Sequence, residues 1–238
     1  MSLVALAAAL AAAGAAVPSP RPPAAVPPAA VRHPAPAAAA RPALPPAAAS
    51  AHRIAADPAD PRQDLHNAMR KLWEDHITWT RLYIVSAVAR LPDAGTAAQR
   101  LLQNQADIGV AIKPFYGDAA GERLTALLRQ HILTAADLVT AAKAGNQPAV
   151  QAASARWYAN ADSIAAFLSA ANPTNWPEAV LRENMHHHLD LTLAEATARL
   201  KGDWAADVAA YDAIHAHILQ LADVLSAGIA AQFPDRMR

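Results

Sequence analysis

The sequence predicts an all-α protein: an antiparallel bundle of about six helices arranged as three hairpins, behind an Ala/Pro-rich N-terminus expected to be disordered. Three observations carry this. The chain is 54% hydrophobic, much of it alanine, with only 5% aromatic residues and eight glycines in 238, and alanine has the highest helix propensity. Apolar residues recur at spacings of three and four in six segments bounded by Pro, Gly or capping residues. No run alternates with period two, so nothing reads as a strand.

The N-terminal part stands apart. Residues Leu3 to Val17 form a short apolar run ending near Ala13-Gly14-Ala15. It is too short to span a bilayer and resembles the apolar core of a secretory signal, although Met1-Ser2 supplies no basic residue. Residues 1–17 are therefore a candidate signal peptide, which implies a periplasmic or extracellular location. Residues 18–59 read as a tether. Pro18 to Ser50 holds eleven of the nineteen prolines and no acid, a density that forbids continuous helix and favours extended chain.

The bundle domain occupies 60–238. Asp60-Pro61-Arg62-Gln63 offers an N-cap acceptor, Pro at the first helical position and Gln at the third. Leu65, Met69, Leu72, His76, Trp79 and Tyr83 then make one seam, ended by Leu91-Pro92. Thr96-Ala97-Ala98-Gln99 reads as a second capping box, and that helix runs to Lys113-Pro114. The third helix follows Asp118 with Leu124, Leu127, His131, Thr134 and Leu138 on one face. Gly145-Asn146 closes it and caps the fourth, which carries Trp157, Asn160, Ile164 and Phe167 to Asn172-Pro173. Asn175-Trp176-Pro177-Glu178 starts the fifth, and Lys201-Gly202-Asp203 turns tightly into the sixth. In the sixth, Val208, Tyr211, His215, Ile218 and Ala222 mark a seam that ends at Phe233-Pro234.

Short turns make consecutive helices antiparallel, so residues equidistant from a turn lie level. His131 lies 14 before Gly145 and Asn160 lies 15 after it; His188 lies 14 before Gly202 and His217 lies 15 after it. Counting 29 on from His76, His131 and His188 gives Gln105, Asn160 and His217. The pattern predicts an internal triplication with ligand-type side chains at one depth.

Leu72-Trp73-Glu74-Asp75-His76, Thr78-Trp79-Thr80-Arg81 and Arg156-Trp157-Tyr158-Ala159-Asn160-Ala161-Asp162 resemble segments of an uncharacterised group of bacterial helical proteins. The likeness covers roughly Asp64 to Pro234 and implies no activity and no site residues.

Composition removes several chemistries. There is no cysteine, so thiolate metal sites, disulfides and Cys nucleophiles are excluded. The formal net charge is +0, which points away from nucleic acid. No phosphate-binding glycine loop, nucleophile elbow or zinc-protease motif is present, so an enzyme is not favoured. A protein partner or homo-oligomer stays open, and no transmembrane span is expected once the signal is removed.

The remaining chemistry is histidine. His76, His131, His188 and His215 are the candidate metal ligands. An interior imidazole without a partner costs a few kcal/mol, so several at one depth suggest a shared ligand. His217 has the better register and His215 the better orientation in its seam; orientation decides for His215. Within His186-His187-His188, the wheel turns His187 to solvent. Nitrogen ligands without sulfur suit zinc, copper, nickel or iron, with haem the second choice. The expected function is an exported metal-binding bundle for storage, sensing or delivery. The alternative is a non-catalytic interaction module with structural histidines. A third reading, a dinuclear carboxylate site, rests on Glu183/His186 and Asp212/His215 at i, i+3. Asp107 and Asp162 are candidate orienting groups if buried.

Overall fold

Six long helices follow one another, with no strand among the described residues: α1 Pro61–Ala89, α2 Ala94–Tyr116, α3 Asp118–Lys143, α4 Gln147–Ala171, α5 Glu178–Lys201 and α6 Trp204–Gln232. A short 3-10 turn, Pro234–Met237, follows. The computed structural model describes residues 60–238; the candidate signal peptide at 1–17 and the tether at 18–59 lie outside the described residues.

Local chemistry explains most boundaries. Asp60 accepts from the Arg62 backbone N–H at 2.9 Å, Asn146 from Ala149 at 3.2 Å and Asp203 from Ala206 at 3.1 Å. Each satisfies one of the donors a helix start leaves open. At the end of α5, Gly202 takes φ 72°, and the Asp203 N–H reaches back to the Ala198 carbonyl.

Two starts differ from the sequence reading. The Thr96 capping box is not used: α2 begins at Ala94, behind Asp93, and runs through Pro114 to Tyr116. Pro114 has no N–H to donate to the Val110 carbonyl, so α2 gives up one backbone bond just before its end. Asn175 does not cap α5 either. Its amide donates to Asn172 Oδ1 at 2.8 Å, and Pro177 precedes the first helical residue, Glu178.

Each helix packs against its predecessor and successor, and α6 packs back on α1, which closes a ring. α1 also touches α3 and α5 across the middle. Ile108, Ile164, Leu189 and Ile218 are fully buried in the shared core. By length and composition α6 could span a bilayer, but its apolar residues Ile214, Ile218, Leu221, Leu225 and Ile229 are buried in this core. At the α2–α3 crossing two glycines permit close approach: a Cβ on Gly109 would lie 2.6 Å from the Gly121 carbonyl oxygen.

Candidate functional site: imidazoles at the centre of the bundle

The first helix of each hairpin sends one histidine inward. His76 from α1, His131 from α3 and His188 from α5 are 3%, 3% and 4% exposed. The ring centroids of His76 and His131 stand 5.7 and 6.2 Å from that of His188. The second helix of each hairpin places its level residue against that histidine. Gln105 Nε2 lies 3.2 Å from His76 Nδ1. Asn160 Oδ1 lies 2.9 Å from His131 Nδ1. The His217 ring lies 6.2 Å from the His188 ring. The 29-residue interval is thus a spatial pairing in all three hairpins.

The networks assign the tautomers. The Asn160 amide nitrogen donates to the Leu127 carbonyl at 3.1 Å, so its oxygen faces His131 and accepts from Nδ1–H. His131 Nε2 then carries the lone pair and accepts from the Trp157 indole N–H at 3.1 Å. Gln105 Nε2 donates to the Leu101 carbonyl at 2.8 Å, so an N–H faces His76 Nδ1, whose lone pair accepts it. His217 Nε2–H donates to the Asn184 carbonyl at 3.1 Å, leaving Nδ1 unprotonated. His188 Nδ1 is buried without a partner. Such an orphan costs about 1–3 kcal/mol.

All four rings are held neutral. Burial pushes His76 down to about 3; the nearby His131 adds to this and the Gln105 bond opposes it. Burial pushes His131 down to about 4 against its Asn160 bond. Burial also holds His188 well below the ordinary imidazole value, reinforced by the surrounding histidines. His217 is lowered by burial and then by His187. Neutral imidazole is the ligating form.

His215 does not join this group, which corrects the sequence assignment. Its Nε2 lies 2.9 Å from Glu74 Oε1, with over a third of the His215 side chain exposed. The error came from the phase of the α6 seam. Val208 is 51% exposed and Tyr211 is half-buried, whereas the buried face runs through Asp207, Ile214, His217, Ile218 and Leu221. His217, two residues on, is 7% exposed. Register was the better guide.

The other candidates sit outside. His186 pairs with Asp162 at 2.8 Å and His187 is exposed. Glu183 and Asp212 are exposed, and the histidines three residues later pair with carboxylates of other helices instead. The dinuclear carboxylate reading therefore has no support in the geometry. Asp107 and Asp162 are half-exposed and bonded to Gln103 and His186; Gln105 and Asn160 themselves orient the interior rings.

As the side chains stand, no three His, Asp or Glu among the described residues are close enough to hold one ion. Imidazoles sharing a tetrahedral ion have ring centres roughly 5 Å apart, so the rings of His76, His131 and His217 stand wide of His188 by about an ångström. His131 must also give up its Trp157 bond to ligate. One turn further along α1, α3 and α5, an apolar cavity of about 30 Å³ is lined by Thr80, Ala135, Thr192 and neighbours. It has room for a water or two, not for a haem.

A buried ionic cluster was not foreseen. Arg81 Nη1 donates to Glu195 Oε1 at 2.8 Å and to Asp207 Oδ1 at 3.0 Å, and Arg199 reaches Asp207 Oδ2 at 3.2 Å. Glu195 and Asp207 are each 1% exposed. Burial pushes Glu195 up to about 7 against the pull of Arg81. The cluster ties α1, α5 and α6 together.

Comparison with known proteins finds no matching family model, no matching curated protein and no matching solved structure.

Proposed function

We propose that this chain is a transition-metal-binding helical bundle that holds its ion among His76, His131, His188 and His217. One observation carries the reading: the His188 ring, with a buried and unpartnered Nδ1, sits among three other neutral imidazoles at 5.7–6.2 Å. A core evolved only for packing gains nothing from an orphan nitrogen there, whereas a bound cation would satisfy it. The imidazole nitrogen donors suit an ion of borderline softness such as zinc, copper(II), nickel or iron(II), with the rings drawn in around it. Asn160 and the Asn184 carbonyl would orient His131 and His217 through their second nitrogens, while His76, whose Nδ1 lone pair is taken by the Gln105 N–H, must give up that bond to ligate. Storage, sensing or delivery suits a site with no general acid or nucleophile beside it. The signal-like run at Leu3–Val17 favours an exported protein.

The test is elemental analysis and metal titration of untagged protein. One bound ion per chain is expected, with affinity lost in His188→Leu. No stoichiometric ion with zinc, copper, nickel or iron ends the proposal. A second reading has its own support: His131 has both ring nitrogens satisfied by Asn160 and Trp157, as a purely structural histidine would. Melting with and without chelator separates the two, because a ligand bound only by the folded state raises its stability.

A further inference from the structure

The buried imidazoles reach solvent through His217 and one further ring, His187. His187 is exposed on α5. Its ring centroid lies 4.9 Å from that of His217, edge to face at 87°. His217 in turn lies 6.2 Å from His188, nearly parallel at 27°. From His188 the rings of His76 and His131 follow at 5.7 and 6.2 Å. Exposure falls along this file, from open at His187 to 7% at His217 and 4% at His188. A route past the neighbouring cavity would run along apolar side chains such as Ile84, Leu138 and Val139, and a bare cation cannot pass hydrocarbon without coordination.

We propose that His187 and His217 form a two-imidazole acquisition site for a divalent transition-metal cation, which passes from there to His188. This rests on the metal-binding reading above. The centroid separation of this outer pair is close to that of two imidazoles sharing one ion, and the edge-to-face rings need only turn, without a change of distance, for both nitrogens to face it. His217 Nε2–H is committed to the Asn184 carbonyl, so its Nδ1 lone pair is available. The outer site lies at the surface, so a hydrated ion exchanges only part of its water there. Each inward transfer then swaps one imidazole for the next, which requires the inner rings at 5.7–6.2 Å to close by about an ångström so that two hold the ion together. The His186-His187-His188 run gains a division of labour: His188 holds, His187 captures, and His186 pairs with Asp162.

Cobalt(II) is a suitable probe, because its visible absorption reports nitrogen coordination. Loading of the metal-free full chain is followed by stopped flow for the wild type, His187→Ala and His66→Ala; the last removes a surface imidazole paired with Asp223. His187→Ala is expected to load about 10-fold more slowly, within the range over which association rates vary among variants of one site. Its final absorbance and equilibrium affinity should equal the wild type's, and His66→Ala should match wild type throughout. Wild-type loading rates in His187→Ala overturn the acquisition site while leaving the buried site standing. Weaker equilibrium binding in His187→Ala also overturns it, by making His187 part of the final site. No cobalt band in the wild type removes both proposals.

Discussion

Acidification of the metal-free protein should destabilise the bundle through its buried histidines. The ordinary imidazole value is 6.5, and burial lowers His76 to about 3 and His131 to about 4. A lowered folded value means the unfolded chain takes up protons first. The stability these groups supply is complete above pH 6.5 and drains away as pH falls towards their folded values. At pH 5 each unfolded imidazole is 1.5 units below its midpoint, which costs about 2 kcal/mol, or about 4 kcal/mol for the pair. His188 and His217 act in the same direction. Glu195 acts oppositely: its value is raised from 4.5 to about 7, so the folded state gains roughly 2 kcal/mol over the same interval. The comparison is therefore cleanest in Glu195→Gln. Urea unfolding of that variant with chelator present, at pH 8, 6 and 5, should show a loss of about 4 kcal/mol or more, a large part of ordinary domain stability. Equal unfolding free energies at pH 8 and pH 5 would refute the reasoning, because the rings could then not be both buried and neutral.

Other outcomes follow from particular contacts. Trp157→Phe removes the donor to His131 Nε2 and should cost about 1–3 kcal/mol in denaturant unfolding; retained stability would mean that nitrogen finds another partner. Gly109→Ala gains about 1 kcal/mol of helix propensity, but its Cβ would meet the Gly121 carbonyl at 2.6 Å. A lower melting temperature is expected, and a higher one would show that α2 and α3 can separate cheaply. Arg81→Met strands Glu195 and one side of Asp207 and should cost about 3–5 kcal/mol. It should also raise the Glu195 value further, visible by NMR titration of the carboxyl carbon.

Some of this was legible because it depends on counting. Helices joined by short turns keep a constant rise, so the intervals around Gly145 and Gly202 predicted which residues would meet. The pairing of Asn160 with His131 follows from that arithmetic alone. Orientation about an alanine-rich helix is harder to read. Val208 and Tyr211 look like a buried seam in α6, while the truly buried stripe includes an aspartate, Asp207, and small residues that give little contrast. That ambiguity makes His215 look like the inward-facing histidine of α6 in place of His217. The Arg81–Glu195–Asp207 cluster was illegible for a different reason. On a helix, charged residues are ordinarily solvated, and only the positions of α1 and α6 against α5 reveal that these are not. Thr96 and Asn175 show the same limit at helix starts: an available cap is used only if the incoming chain arrives at the right angle.

Because α6 lies against α1, with Arg70 bonded to Asp223 at 2.7 Å, the amino end of α1 and the carboxyl end of α6 emerge at the same pole. A short peptide could splice them, and new ends could be cut at the exposed Gly145–Asn146 loop without removing a helix from the circle. Such a circular permutant should keep its fold, and a linker there would let the domain be inserted whole into a host loop.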